Sequence, residues 1–303
     1  MALIRKEGKI NDNTYLIDAV HQGNKGGYAV YLLKSGDGGT CLIDAGTKSS
    51  AQVIVEKLKK LDAWPMDKII ITHSHWDHTQ GIGILRQKAA ERHNIPEVFA
   101  SEKARPYLAD QSYNICFGTD QTPYENIQDV LDLKNGDKLE VGKDLTIKII
   151  DTPGHMVDHL SVWDENSGNI FVGDAIGMKW GDYLVVPNPN SSFWNEKAFF
   201  KSIDILKSLK PKTVCLAHFG CLNGEDAKNI LDDSISSYNK WMEIFYKNSS
   251  RLDDISYLIE LLWSKIYNHI PEGLRPLIEQ PLIEALELAA RAYAKQHSEG
   301  QKV

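Results

Sequence analysis

Three histidines and one aspartate fall within six residues at His73, His75, Asp77 and His78, directly after the apolar run Ile69, Ile70 and Ile71. Imidazole and carboxylate are ligand types that suit zinc or iron, and a loop leaving a buried strand can aim several side chains at one point. At His-x-His-x-Asp-His spacing, only a turn or the start of a helix makes the four converge. The plainer alternative is a polar loop of solvated histidines.

Three later apolar runs each end on another group of the same kind. His155 follows the run 145–150 and the breaker Thr152-Pro153-Gly154, Asp174 follows Ile170-Phe171-Val172-Gly173, and His218 follows Thr213-Val214-Cys215-Leu216-Ala217. Short β-branched runs closed by Gly or Pro read as strands whose next side chain stands at one rim of a sheet. Seven candidate ligands are enough for two metal ions.

In this order, His73, His75, Asp77, His78, His155, Asp174 and His218 resemble the signature of the metallo-β-lactamase superfamily. Asp44, in Leu42-Ile43-Asp44-Ala45-Gly46, resembles the family's strand-end aspartate that supports the metal loop. The resemblance covers roughly residues 10 to 222. It implies an α/β fold, the four-layer αβ/βα sandwich, over residues 1–222, with a C-terminal all-helical extension over 223–303. It further implies that His73, His75 and His155 hold one ion, that Asp77, His78 and His218 hold the other, and that Asp174 bridges them. The cofactors are then two divalent metal ions per chain, zinc first, with iron or manganese as alternatives. The chemistry expected is hydrolysis of a small ester, thioester or lactone by a metal-bridging hydroxide, with Asp77 both ligating and orienting it.

Within the superfamily, cysteine-bearing β-lactamases carry a thiolate where this chain has Asp174, which disfavours penicillin hydrolysis. Flavodiiron proteins usually carry Glu at the position of His75 and a flavodoxin domain after it. Ribonuclease Z shares the ligand set but wants a basic surface. The layout resembles glyoxalase II, acyl-homoserine lactonases and quorum-sensing thioesterase-like members. A phosphodiesterase, a diiron redox or oxygen-binding protein, and a regulatory protein with a vestigial site are the alternatives.

The elements that must position these groups begin with strands at 14–19, 28–33 and 40–44, punctuated by glycines. The loop from His21 to Gly27 resembles the family's flap, which makes His21 a candidate substrate contact or a solvated loop histidine. An amphipathic helix is expected from Ser49 to Leu61, capped by Ser49 or Ser50, with a second at 81–92 and a strand at 97–100. Residues 101–135 are irregular and aromatic, either a lid or a cover for the sheet edge. Residues 175–194 leave the sheet at the metal rim, so Trp180 or Tyr183 is expected in the pocket wall. From Asn223 onward the pattern is helical, over 225–247, 253–268 and 271–296, with prolines that reduce the first half of the last to a turn or short helix. Its apolar stripes read as core, with a homodimer interface or a roof over the pocket as alternatives.

Composition sets the outer bounds. The 303 residues are 42% hydrophobic and 25% charged, ordinary for a globular chain. Lys plus Arg number 34 against 41 Asp plus Glu, a net charge of −7 that argues against nucleic acid and favours a small-molecule substrate or a cationic partner. There is no apolar leader and no run of about 18 apolar residues, so neither membrane insertion nor export is expected and a cytoplasmic location is. The four scattered cysteines imply no disulfide framework. Cys221, close to His218, reads as a buried thiol because the ligand set is complete without it.

Overall fold

Period-two alternation in the strands decides which side chains enter which layer. The computed structural model describes residues 4, 6–117, 123–180, 184–189 and 193–299. In chain order the elements are β1 (Gly8–Lys9), β2 (Thr14–Asp18), β3 (Ala29–Lys34), β4 (Thr40–Ile43), α1 (Ala51–Lys60), β5 (Lys68–Ile70), α2 (Trp76–Thr79), α3 (Ile82–Ala90), β6 (Glu97–Ser101), α4 (Arg105–Ala109) and β7 (Val130–Leu133). They continue with β8 (Lys138–Gly142), β9 (Leu145–Asp151), β10 (Leu160–Asp164), β11 (Asn169–Phe171), β12 (Met178–Trp180), β13 (Leu184–Val186), α5 (Glu196–Ser208), β14 (Thr213–Leu216) and β15 (Gly220–Asn223). The helices α6 (Glu225–Lys247), α7 (Ile255–Lys265) and α8 (Arg275–Glu299) complete the chain.

The first seven strands form one mixed sheet in sequence order, antiparallel through β4 and parallel from β4 to β7. A second mixed sheet runs β15-β14-β11-β10-β9-β8, with only β11 and β14 parallel. In β3, Val30 and Leu32 face α1 and α3, whereas Tyr31 and Leu33 face the second sheet. The second sheet repeats the arrangement: Ile147 and Ile149 point between the sheets, and Ile150 faces the layer of α5 and α6. Helix, sheet, sheet and helix thus make the four layers of an α/β fold, followed by the C-terminal helices.

Three local readings need correction. Ser50 occupies the N-terminal position of α1 but makes no cap, because its hydroxyl is engaged with Thr47 Oγ1 at 2.8 Å. The stretch read as irregular contains β7, whose two central residues are exposed at the sheet's edge, so it lacks the alternation that marks a half-buried strand. The last helix begins at Arg275 and runs through Pro281 without a break. Pro276 sits in its first turn, where a missing N–H costs nothing, and the buried Leu282, Leu286 and Ala289 hold the helix across Pro281.

Among the described residues no helix is long and apolar enough to cross a membrane. Cys41, Cys215 and Cys221 are free and buried, and Cys221 Sγ points to Cys215 Sγ at 3.5 Å inside the inter-sheet core.

Candidate metal centre

Strand ends from both sheets meet at one rim. β5 leads into Thr72 and His73, and His75 stands at the N-terminal boundary of the four-residue helix α2, whose first turn presents Asp77 and His78. A single turn therefore brings the clustered motif together. His155, Asp174 and His218 arrive from beyond β9, β11 and β14 of the other sheet. Their ligand atoms form three close groups: His73 with His75 and His155, His73 with His78 and Asp174, and Asp77 with His78 and His218.

In the first group, His75 Nδ1 lies 3.0 Å from His73 Nε2 and 2.8 Å from His155 Nε2. Asp174 Oδ2 joins the groups, at 3.5 Å from His155 Nε2 and 3.2 Å from His218 Nε2. Its other oxygen, Oδ1, is 3.6 Å from His78 Nε2, and Asp77 Oδ2 is 3.6 Å from His78 Nε2 and 3.7 Å from His218 Nε2. These separations suit shared ions. Metal bonds of about 2.0–2.1 Å place tetrahedral ligand atoms roughly 3.3–3.4 Å apart.

The supporting hydrogen bonds decide which ring nitrogens carry lone pairs inward. Asn188 O can only accept, so His155 Nδ1 donates to it at 2.9 Å and Nε2 is left bare. His78 Nδ1 donates to Asp44 Oδ2 at 2.8 Å, and Asp44 also accepts from Thr72 N at 2.8 Å and Thr72 Oγ1 at 3.0 Å. His78 Nε2 and Asp174 Oδ1 are buried with no hydrogen-bond partner among the described residues. A bare nitrogen facing two carboxylates at 3.6 Å is too far for a hydrogen bond and placed to share a cation. The donor set fits metal ions on these grounds.

Electrostatics divide the site the same way. Burial, reinforced by neighbouring imidazoles, holds His73 and His75 well below the usual histidine range, and burial also lowers His155. Neutral imidazoles are what a metal requires. Burial pulls His78 down too, but Asp77, Asp44 and Asp174 override it and push the group up to about 10. The potential at that spot favours a positive charge. Burial raises the Asp174 carboxyl, yet His218 and His78 hold it well below the usual carboxylate range.

The surroundings include groups the sequence did not single out. Asn188 Nδ2 donates to Asp174 Oδ2 at 2.8 Å while its carbonyl holds His155. Asp174 N donates to His159 Nε2 at 3.1 Å, and burial holds His159 down to about 3, a neutral acceptor whose ring stacks on His73. Asp158 Oδ2 accepts from Ser74 N at 2.9 Å, its carboxyl pushed up by burial to about 6.

Aromatic rings flank the cluster on two sides. Phe117 meets His75 edge-on at 4.8 Å, and Tyr113 donates to Ser74 O at 2.5 Å, so the aromatic part of 101–135 reaches the site. On the other side Tyr28 lies 5.3 Å from His218, with His21 and Trp76 beside it. His21 Nδ1 is engaged by Thr47 Oγ1 and Ser49 Oγ at 3.0 and 3.1 Å, so that nitrogen is committed within the chain. Trp180 packs against the cluster formed by the C-terminal helices, and Tyr183 lies outside the described residues.

The Metallo-beta-lactamase superfamily profile matches residues 23–218. A hydroxyacylglutathione hydrolase of Rhodopseudomonas palustris is 31% identical over 139 residues, which covers 46% of this chain and 44% of that protein's length. A metallo-beta-lactamase family protein from Thermus thermophilus has the same fold at a TM-score of 0.58 and 20% identity, covering 96% of this chain and 95% of that one. A second solved structure, determined in a di-iron-bound form, aligns at a TM-score of 0.51 and 22% identity over 65% of this chain and 89% of its own. The profile runs from β3 through β14 and takes in every residue from His73 to His218 that the rim brings together, and the chain belongs to the metallo-β-lactamase superfamily.

Proposed function

We propose that the chain is a metal-dependent hydrolase of a small ester, thioester or lactone. The observation that carries this is the pair of ligand groups joined through Asp174, with bare nitrogens and an unpartnered carboxylate oxygen facing inward. His73, His75 and His155 would hold one divalent ion, Asp77, His78 and His218 the other, and Asp174 both. Such ions, when bound, supply Lewis acidity and bring the pKa of water towards neutrality. The side chains of Asp77 and His218 are 11% and 14% exposed, unlike the buried remainder, so a substrate approaches from their side. Asp77 is the carboxylate that reaches this opening, placed to accept a proton from water and orient it. Phe117 beside His75 and Tyr28 beside His218 would limit the access of bulk water to the ligand groups. The likeness to hydroxyacylglutathione hydrolases supports an acyl or thioester bond as the one cut. The histidine-rich donor set suits zinc, and the di-iron form of a solved relative supports iron as a second candidate.

Elemental analysis together with a panel of acyl thioesters, lactones and phosphodiesters tests the reading. The expected result is close to two ions per chain and turnover of carboxylic acyl substrates that a chelator abolishes. One ion or none after metal-replete expression would overturn the dinuclear assignment, and turnover of phosphodiesters alone would overturn the assignment of the bond.

A further inference from the structure

On the side where Asp77 and His218 are open to solvent stands a tyrosine whose hydroxyl is uncommitted. Tyr28 is the residue before β3, and the backbone around it is pinned to the rim: Tyr28 O accepts from Ala19 N at 2.9 Å, and Ala29 N donates to Ala217 O at 2.7 Å, one residue before His218. Its ring lies 5.3 Å from that of His218 and meets His21 edge-on at 5.4 Å. Its hydroxyl has no hydrogen-bond partner among the described residues. Other tyrosines close by have spent theirs, since Tyr31 donates to Leu216 O at 2.7 Å and Tyr113 donates to Ser74 O. Burial, then the carboxylates of Asp77, Asp174 and Glu284, hold the phenol above its usual range, so the hydroxyl lies within electrostatic reach of the rim and of α8. Even without such a shift a phenol is a neutral donor near pH 7.

We propose that Tyr28 is a further catalytic residue, its hydroxyl donating a hydrogen bond to the departing oxygen of an ester or lactone. The inference rests on the hydrolase reading. In that hydrolysis the oxygen of water bonds to the acyl carbon, and the bond from that carbon to the departing oxygen breaks with its electron pair left on the oxygen. One proton of the water ends on the departing oxygen and the other goes with the acid, while Tyr28 keeps its own proton and shares it as negative charge builds up. The departing group needs room towards solvent, and Tyr28 stands where the cluster is open. Its oxygen also changes most in basicity, from ester to alkoxide, so it gains most from a donor. Sulfur accepts hydrogen bonds poorly and a thiolate is a weaker base, so the same hydroxyl does little for a thioester.

Steady-state kinetics of the metal-loaded full-length protein and of Tyr28→Phe test this, on lactones and on oxygen esters and thioesters that share one acyl group. The expected result is a fall in kcat of about 10–100-fold on the oxygen esters and lactones, with KM little changed. That fall should exceed the one on the matching thioester by at least about tenfold. Phenylalanine keeps the ring, and a hydroxyl without a partner contributes no hydrogen bond to folding, so the variant should match the parent in circular dichroism and in ions per chain. Equal losses on oxygen ester and thioester, no loss on either, turnover confined to thioesters, or loss of ions in Tyr28→Phe would overturn the inference and leave the hydrolase reading standing. Absence of turnover of every acyl substrate by the unsubstituted protein would overturn that reading, and this inference with it.

Discussion

Asp44 sits in left-handed backbone at φ 61°, and from there its carboxylate meets both Thr72 and His78. Aspartate and asparagine are the non-glycine residues that tolerate this region best, so Asp44→Asn preserves shape and backbone while changing one acceptor into a donor. With Thr72 N–H and hydroxyl still occupying the remaining oxygen, the new amide would face His78 Nδ1–H and force the imidazole to its other tautomer. The lone pair at Nε2 would then be lost. Affinity of the ion held by His78 should fall about 10–100-fold, read by competition with a chromophoric chelator. Unchanged affinity would mean that Asp44 does not set the His78 tautomer.

Gly173 shows how closely two elements approach at the site. Its φ is +49°, and a Cβ there would lie 2.6 Å from His159 Nε2 and 2.9 Å from Thr72 Cβ. Gly136, at φ +91°, has open space around the same position, so it reports backbone strain alone. Gly136→Ala should cost about 1 kcal/mol and Gly173→Ala at least about 2 kcal/mol more, measured from urea midpoints. Equal effects would show that the β11 turn can shift away from Thr72. The strand ends on both sheets were legible because β-branched runs closed by breakers such as Pro153-Gly154 announce themselves locally. Asp158, His159 and Asn188 were not, because their partners lie at the far end of other elements: Ser74 is 84 residues from Asp158, and His155 is 33 from Asn188. The same holds for α8, where buried side chains on neighbouring helices outweigh the local message of Pro281.

For the molecule as a whole, the C-terminal helices are tied to the segment that follows Asp174. Ser234 and Ser237 of α6 donate to Ile176 O and Val185 O, both at 2.6 Å, and Leu184 and Val186 of β13 pack among α6, α7 and α8. Only Gly224 separates β15 from α6. Ending the chain after Gly224 should therefore expose the apolar faces of β12 and β13, lower solubility and change the ranking among acyl substrates even where ions still bind. A truncated protein that stayed soluble, held two ions and kept the same ranking would mark the helices as an independent appendage. The acidic balance of the chain works in the same direction as its metal rim, since both raise the local concentration of cations.

Asn188 links the centre to the loop that carries it, because its carbonyl fixes one ligand and its amide fixes another. Thermodynamic reciprocity then applies: whatever factor ion binding contributes to holding this loop in place, holding the loop contributes the same factor to ion affinity. Pro189, the next residue, lines a cleft between α5, α6 and α8, away from the ions. An occupant that favours one arrangement of residues 188–189 must therefore change how tightly the distant ions are held, and ion loading must change how tightly that occupant is held, by equal amounts.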